Sequence, residues 1–332
     1  MQKGLVSIIT PCYNTGKIIH RLLDSILEQD YPFIEMLVVD DGSTDNSKKV
    51  ILSYISIFEK RGYSLEYYYQ SNQGQSAAIN NALKWVKGEF LAWPDSDDFY
   101  NRPDAISSFV NKFNELDDEY GAVRCFPTYI DERKMTGRVR TDGVDLGDDQ
   151  FYNCLYSQKF MWGAGNYMIK SCALDKVNPS RKIYVSKDAG QNWQIFLPLL
   201  FSFKCYTLAN SYFCVLERSE SHSRGQYKSY NQEISKISSY ENTILYTLDR
   251  INDLCDSEKE RLKEIIRVKY LRERLRVSLK YCNQKNIDFF LQKLSVSDKL
   301  TFKEHLLRIV IKIPWLCMVL RNLVLKVKQV LK

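Results

Sequence analysis

Short apolar runs alternate with helix-period segments over roughly the first hundred residues. Leu5-Val6-Ser7-Ile8-Ile9 reads as a buried strand. From Gly16 to Gln29 the apolar residues come in pairs, Ile18–Ile19, Leu22–Leu23 and Ile26–Leu27, the spacing of one helical face. Glu35 to Val39 is a second strand. It ends in Asp40-Asp41-Gly42-Ser43-Thr44-Asp45, where Ser43 or Thr44 is placed to cap the next helix. That helix extends to about Phe58, with Val50, Ile51, Tyr54, Ile57 and Phe58 inward. Leu65 to Tyr69 reads as a third strand, Gln75 to Val86 as a third helix, and Glu89 to Trp93 as a fourth strand running into Asp95-Ser96-Asp97-Asp98. Strands alternating with helices predict an α/β fold around a mostly parallel central sheet flanked by helices. Further on, Tyr167–Ile169 and Lys204–Leu208 are candidate strands. Gln194–Phe201 is a candidate buried helix that Pro198 would kink, or whose first turn it would confine. Beyond about residue 225 the pattern is helical. The expected organisation is an α/β domain over 1–225, a helical extension over 226–300 and a separate terminal helix over 301–332.

Charge changes the picture mainly in that last segment. The chain has 332 residues and a net charge of +7. Residues 301–332 hold seven lysines and arginines against Glu304, so the main body is nearly neutral and a nucleic-acid partner is not expected. The tail is also strongly apolar, but it lacks the run of about 18 uncharged residues that a spanning helix needs. A basic amphipathic helix lying on an anionic bilayer is the expectation, the alternatives being a helix docked on the protein itself or in a homo-oligomer contact. Nine cysteines are scattered from Cys12 to Cys317, with no C-x-x-C pair and no zinc-ligand spacing. The first residues lack the apolar core of a signal peptide. These features predict free thiols in a reducing cytoplasm, with the protein peripheral on the inner face of the membrane.

In parallel α/β sheets, ligands bind beyond the carboxyl ends of the strands. Pro11-Cys12-Tyr13-Asn14, Asp40-Asp41 and Asp95-Ser96-Asp97-Asp98 all fall on that edge. Carboxylates crowded at a strand end repel one another unless a cation bridges them, and Mg²⁺ or Mn²⁺ takes one or two carboxylates plus phosphate oxygens. In an extended segment, Asp95 and Asp97 would face one side. The alternative is a solvated acidic turn ahead of a helix near Pro103-Asp104. Asp40 and Asp41 can accept from a base N–H or a ribose hydroxyl, or can serve as helix caps. Tyr13 can stack on a base, and Pro11 fixes its turn.

Four ordered stretches together resemble the family 2 glycosyltransferases over about residues 5–104. They are Val6–Asn14, Val39–Asp45, Asn72-Gln73-Gly74 with Ala78 and Asn80-Asn81, and Gly88-Glu89-Phe90 to Asp98. The resemblance implies the GT-A fold, here with a C-terminal helical extension. It also implies a nucleotide-diphosphate sugar donor, a divalent metal (Mn²⁺ or Mg²⁺) and inversion at the anomeric carbon. By motif position, Pro11, Tyr13 and Asp41 would line the base pocket, with Asn72 on the nucleotide-sugar side. Asp95 would contact ribose or diphosphate, Asp97 would ligate the metal, and Asp98 is a second metal candidate. Family members place an acidic pair before a helix in the second half to supply the general base. Here Ser186 to Gln194 matches that place, with Gln-Asn-Trp-Gln at the helix start. Asp188 is the nominated base, its alternative role being a helix cap. Glu217 to Gly225, with Arg218, His222 and Arg224, resembles the loop that closes over the donor; His222 or Arg224 would contact the diphosphate, where charge develops. Trp162 and Gln191 are candidates for the acceptor side, core packing being the alternative for Trp162. The implied acceptor is a hydroxyl on a glycan or lipid-linked glycan in surface polysaccharide assembly, the donor a UDP-sugar or similar. Two rivals remain. A nucleotidyltransferase would carry a Gly-rich basic phosphate loop that Pro11–Lys17 does not supply, and a non-catalytic carbohydrate-binding scaffold could keep the same fold.

Overall fold

The computed structural model describes residues 1–134, 136–185, 190–218 and 229–296. In chain order the elements are β1 (Gln2–Cys12), α1 (His20–Leu27), β2 (Ile34–Asp41), α2 (Ser47–Arg61), β3 (Ser64–Gln70), α3 (Gln75–Ala82) and β4 (Gly88–Ala92). Then come β5 (Phe99–Tyr100), α4 (Ala105–Glu115), β6 (Tyr120–Asp131), β7 (Gly137–Val139), α5 (Phe151–Tyr156), β8 (Tyr167–Lys170), α6 (Ser171–Val177), α7 (Gln191–Ser202) and β9 (Lys204–Glu217). The chain continues with α8 (Tyr230–Asp249), α9 (Asp256–Lys280) and α10 (Gln284–Val296).

One nine-stranded sheet runs β3-β2-β1-β4-β8-β6-β9-β5, with β7 paired to β6. The first four strands in this order are mutually parallel, β8 is antiparallel to both β4 and β6, and β6 pairs with β9 in parallel. Helices cover both faces of the N-terminal part, so all eight residues of β2 are buried, which is why it reads as an apolar run rather than an alternation. Glu35 is a buried charge within it. It accepts from Ser7 Oγ and from the Lys87 amide (2.8 Å), while the Gly88 amide donates to Ser7 Oγ (2.8 Å). This network ties β1, β2 and the start of β4 in one register.

The helices follow the apolar spacing with instructive departures. Leu22, Leu23 and Ile26 are fully buried on α1. On α2, Ile51 and Phe58 are buried but Ile57 is 46% exposed, so the inward stripe is narrower than its apolar content suggests. Helix α3 stops at Ala82 rather than Val86; a turn follows in which Trp85 stacks on Tyr68 of β3 at 3.8 Å. Helix α7 begins at Gln191, three residues before the expected start, which puts Pro198 in its interior, not its first turn.

Two compact units emerge. Among the described residues, 1–218 and 242–255 form one; 229–241 and 256–296 form the other. Residues 242–255, helical by pattern, thus belong with the sheet unit and bury Ile244, Leu248, Ile251 and Leu254. The second unit packs Val268, Leu275, Ile287, Leu291 and Leu294 together, and Arg274 bonds Glu241 (2.5 Å) and Ser238 (3.1 Å). No helix among the described residues is long and apolar enough to cross a membrane. The tail 301–332 lies outside them.

Candidate active site

Four chain segments meet at the carboxyl edge of the parallel strands. The loops after β1 and β2 are laced together. The Asn14 amide donates to Ser43 Oγ (2.9 Å), and the Thr44 amide to Asn14 Oδ1 (2.8 Å). The Thr15 amide donates to Ser47 Oγ (3.0 Å), and the Gly16 amide to Asp45 Oδ2 (3.0 Å). Ser43 and Thr44 therefore serve this clamp and do not cap α2, whose cap residue Asn46 makes no side-chain cap bond; Asp45 Oδ1 takes the Ser47 amide instead (2.9 Å). The approach is close enough that a methyl group at Gly16 would stand 2.1 Å from Asn46 Oδ1. Pro11 is buried in the ladder opposite Val39, while Tyr13 is held at the rim, 41% exposed.

The paired aspartates at the end of β2 organise neighbouring loops. Asp40 accepts from the Ser43 amide (2.8 Å) and the Tyr67 hydroxyl (2.7 Å). Asp41 accepts from Gln70 Nε2 (2.7 Å) and from the amides of Gln73 (2.9 Å) and Gly74 (2.8 Å). These bonds curl residues 71–74 back over the strand end, leaving Asn72 exposed. Gly42, at φ +81°, lies beneath them; a methyl group there would meet the Asn72 backbone at 2.8 Å.

The acidic cluster follows β4. Trp93 is fully buried against Phe196 and reaches Asn192 Oδ1 with Nε1 (3.3 Å), which anchors the strand end. The next residues form a turn closed by the Asp98 amide on the Asp95 carbonyl (3.2 Å), not the extended segment expected. Asp95, half-buried, accepts from Gln75 Nε2 at the start of α3 (2.5 Å). Asp97, also half-buried, faces Arg218 Nη1 at 3.4 Å. Asp98 is buried, and its Oδ1 takes the Leu216 amide of β9 (2.9 Å). Burial first, then the neighbouring Asp97 charge, pushes the Asp95 carboxyl well above the usual carboxylate range. Asp98 is raised as well, by burial and then by the charges of Asp97 and Asp95.

No group of three or more His, Cys, Asp or Glu side chains among the described residues could by itself enclose a metal. Two half-buried hard-oxygen carboxylates on a turn, mutually repelling, suit instead an ion that takes one or two of them and fills its shell with phosphate oxygens and water. The donor set thus fits Mg²⁺ or Mn²⁺ held jointly with a diphosphate.

Strand β8, antiparallel to β4, brings the Trp162–Asn166 loop to the same edge. Trp162 is partly exposed and meets Phe160 and Trp193 edge-on at 4.7 and 5.1 Å. Gln191, the first residue of α7, is 3% exposed and so does not line an open surface, contrary to its expected place on the acceptor side. Gln194 brackets Tyr184, accepting its amide and donating to its carbonyl (3.0 Å). Asp188, His222 and Arg224 lie outside the described residues. Sequence reasoning passed over Gln75, Glu132 and Asn192. Each stands among other polar residues and has its partner far away in the chain, so no local pattern marks it.

The family model described as glycosyl transferase family 2 matches residues 7–172. An uncharacterized glycosyltransferase of Rickettsia typhi is 38% identical over 129 residues, 39% of this chain and 38% of that one. The putative teichuronic acid biosynthesis glycosyltransferase TuaG of Bacillus subtilis is 38% identical over 100 residues, 30% of this chain and 38% of its own. The chain therefore spans well under half the length of these relatives. Among solved structures, residues 1–349 of S. aureus TarS, in complex with UDP-GlcNAc, superpose with a TM-score of 0.58 at 18% identity, over 87% of this chain and 81% of that one. The mannosyltransferase PcManGT of Pyrobaculum calidifontis, in complex with GDP-Man and Mn²⁺, gives 0.52 at 16% identity, over 96% and 87%. At these identities the likeness concerns the fold, which is GT-A with a C-terminal helical region.

Proposed function

The chain belongs to glycosyl transferase family 2, and from that premise we propose that it moves a sugar from a nucleotide-diphosphate donor to a hydroxyl of a glycan or lipid-linked glycan, with inversion at the anomeric carbon. The observation that carries this reading is the convergence at one sheet edge of the loops after β1, β2 and β4 with the end of β9. Tyr13, Pro11, Asp41 and Asn72 receive the nucleoside, Tyr13 stacking on the base and Asp41 shaping the loop that carries Asn72. Asp95 meets the ribose or diphosphate. Asp97 holds Mn²⁺ or Mg²⁺, which supplies positive charge where the leaving diphosphate develops its own. Asp98, a second metal candidate by position, braces β9 against the turn through the Leu216 amide. Asp188 takes the acceptor proton, His222 or Arg224 contacts the diphosphate, and Trp162 offers an aromatic edge to the acceptor.

TarS bound to UDP-GlcNAc and PcManGT bound to GDP-Man support a nucleotide-diphosphate donor, and we favour a UDP-sugar. The name of TuaG, a putative teichuronic acid biosynthesis glycosyltransferase, supports a role in surface polysaccharide synthesis. The basic, apolar segment 301–332 would hold the enzyme on an anionic membrane, where lipid-linked acceptors are presented.

The test is release of nucleoside diphosphate from a panel of UDP- and GDP-sugars with Mn²⁺. Wild type should turn over one donor, and Asp97→Asn should fall by about 100-fold or more, the size of losing a transition-state charge contact. Equal turnover by both proteins would refute the role of Asp97, and no turnover of any donor by folded wild type would transfer the weight to a non-catalytic scaffold. Separately, removing 301–332 should shift the protein from membrane to soluble fractions; an unchanged distribution would refute the tail's role.

A further inference from the structure

The acidic turn brings three carboxylates together, yet among the described residues it has one ion-pair partner, Arg218. That guanidinium is loosely held. Its Nη1 stands 3.4 Å from Asp97 Oδ2 and its Nε 3.8 Å from Glu132 Oε1. Charge-assisted N–H···O bonds run at about 2.7–2.9 Å, and a settled arginine–carboxylate pair is usually bidentate. Here Nε is buried without a hydrogen bond, and of the five donors in the fork one reaches an acceptor among the described residues. An arginine whose buried Nε bonds nothing, and whose ion pairs are both long, is placed to take a better acceptor.

The backbone around it is secured. Asp98 takes the Leu216 amide (2.9 Å), and the Glu132 amide donates to the Glu217 carbonyl (3.2 Å). The side chain of Arg218 can therefore change partners without moving β9. Asp97 is also the carboxylate assigned to the divalent cation, and a guanidinium and a metal ion repel each other at one carboxylate. A diphosphate would offer the paired oxygens that neither Asp97 nor Glu132 presents in this geometry.

We propose that Arg218 is an exchange cation. It neutralises Asp97 and Glu132 while the site is without metal and donor, and it passes to the donor's diphosphate when the divalent ion takes Asp97. This rests on the nucleotide-sugar reading above. Arg218 would leave Asp97 as a divalent ion bound there and would find new acceptors on the diphosphate. Each ligand therefore strengthens the other, and the coupling is reciprocal.

Calorimetry on the full chain tests the idea with two titrations, Mn²⁺ alone and then UDP or GDP at saturating Mn²⁺, for wild type, Arg218→Gln and Arg218→Lys. Removing the competing charge should tighten binding of Mn²⁺ alone by about 3–10-fold in Arg218→Gln and weaken the nucleotide by about 10-fold or more, a coupling within the usual allosteric range. Arg218→Lys, which keeps the charge but not the fork, should bind Mn²⁺ as wild type does and the nucleotide with intermediate affinity. Unchanged or weaker Mn²⁺ binding in Arg218→Gln would overturn the exchange, as would unchanged nucleotide affinity. Wild type that binds neither nucleotide with Mn²⁺ would overturn the underlying reading as well.

Discussion

Replacing Asp41 separates a structural from a nucleotide-binding contribution within one residue. The carboxylate is 4% exposed and accepts from the Gln70 side chain and the amides of Gln73 and Gly74, at 2.7–2.9 Å. Hydrogen bonds to a charged group contribute about 1.5–3 kcal/mol each. Gln73 is exposed and Gly74 half-buried, so water can satisfy part of what is lost. The expected cost of Asp41→Ala is therefore nearer one such bond than three, about 2–3 kcal/mol. For a unit of this size that is a fall in melting temperature of roughly 4–12 °C. Asp41→Asn is the sharper variant. It is nearly isosteric, but its amide NH₂ must face either the Gly74 N–H or the Gln70 and Gln73 donors. It should thus lose most of what alanine loses. Because residues 71–74 carry Asn72, both variants should also weaken nucleotide binding, by about 10-fold. Differential scanning calorimetry with UDP titration reads both effects. An Asp41→Asn protein that melts within about 1 °C of wild type would refute the reasoning.

Other outcomes follow from the same structure. Gly165→Ala would place a methyl group 2.0 Å from the Phe213 ring and should destabilise by about 1–3 kcal/mol or more, read by urea unfolding; a neutral result would contradict the packing. Arg124 is fully buried and bonded to Thr207 Oγ1, Gln150 Oε1, Tyr167 OH and the Asp145 carbonyl, with no carboxylate. Arg124→Met would strand those acceptors, at about 2–4 kcal/mol by the same assay, and a loss below about 0.5 kcal/mol would be inconsistent with this network. Asp95 and Asp98 are raised by burial and by neighbouring charge, so the folded, metal-free protein favours their protonated forms. Their contribution to stability is present at low pH and is lost as pH rises through the raised values. In chelator the melting temperature should rise as pH falls from about 8 towards 6, and the stabilisation gained from Mn²⁺ should shrink over the same window as protons compete for the carboxylates. Asp95→Asn should flatten this dependence; an unchanged slope would contradict it.

The parts of the fold legible in sequence were those whose environment imposes a simple period. Strands β1, β2 and β4 are covered on both faces and appear as apolar runs, and the paired residues of α1 mark its buried stripe. Ile57 misled because an apolar residue on a partly exposed helix looks like a core residue. The partners of Ser43 and Thr44 were not legible: both residues are good caps locally, but Asn14, some thirty residues away, claims them. Asp95 and Asp97 were read on one face of an extended segment because alternation was assumed where the chain turns. The placement of β8 between β4 and β6, and of 242–255 with the sheet unit, depends on long-range pairing that no local period encodes. The carboxylates of the site were visible as types and spacing; their supports, Gln75 and Asn192, were not.

The most direct test of the central claim is calorimetric binding of UDP, GDP, CMP and dTDP to the full chain, with Mn²⁺ and with chelator. Tight, Mn²⁺-dependent binding of one nucleoside diphosphate, abolished in Asp97→Asn, is the result predicted for a nucleotide-sugar site at the β1, β2 and β4 edge. A folded protein that binds none of the four, or that binds equally well in chelator, would contradict it and return the Asp95–Asp98 turn to an ordinary acidic loop.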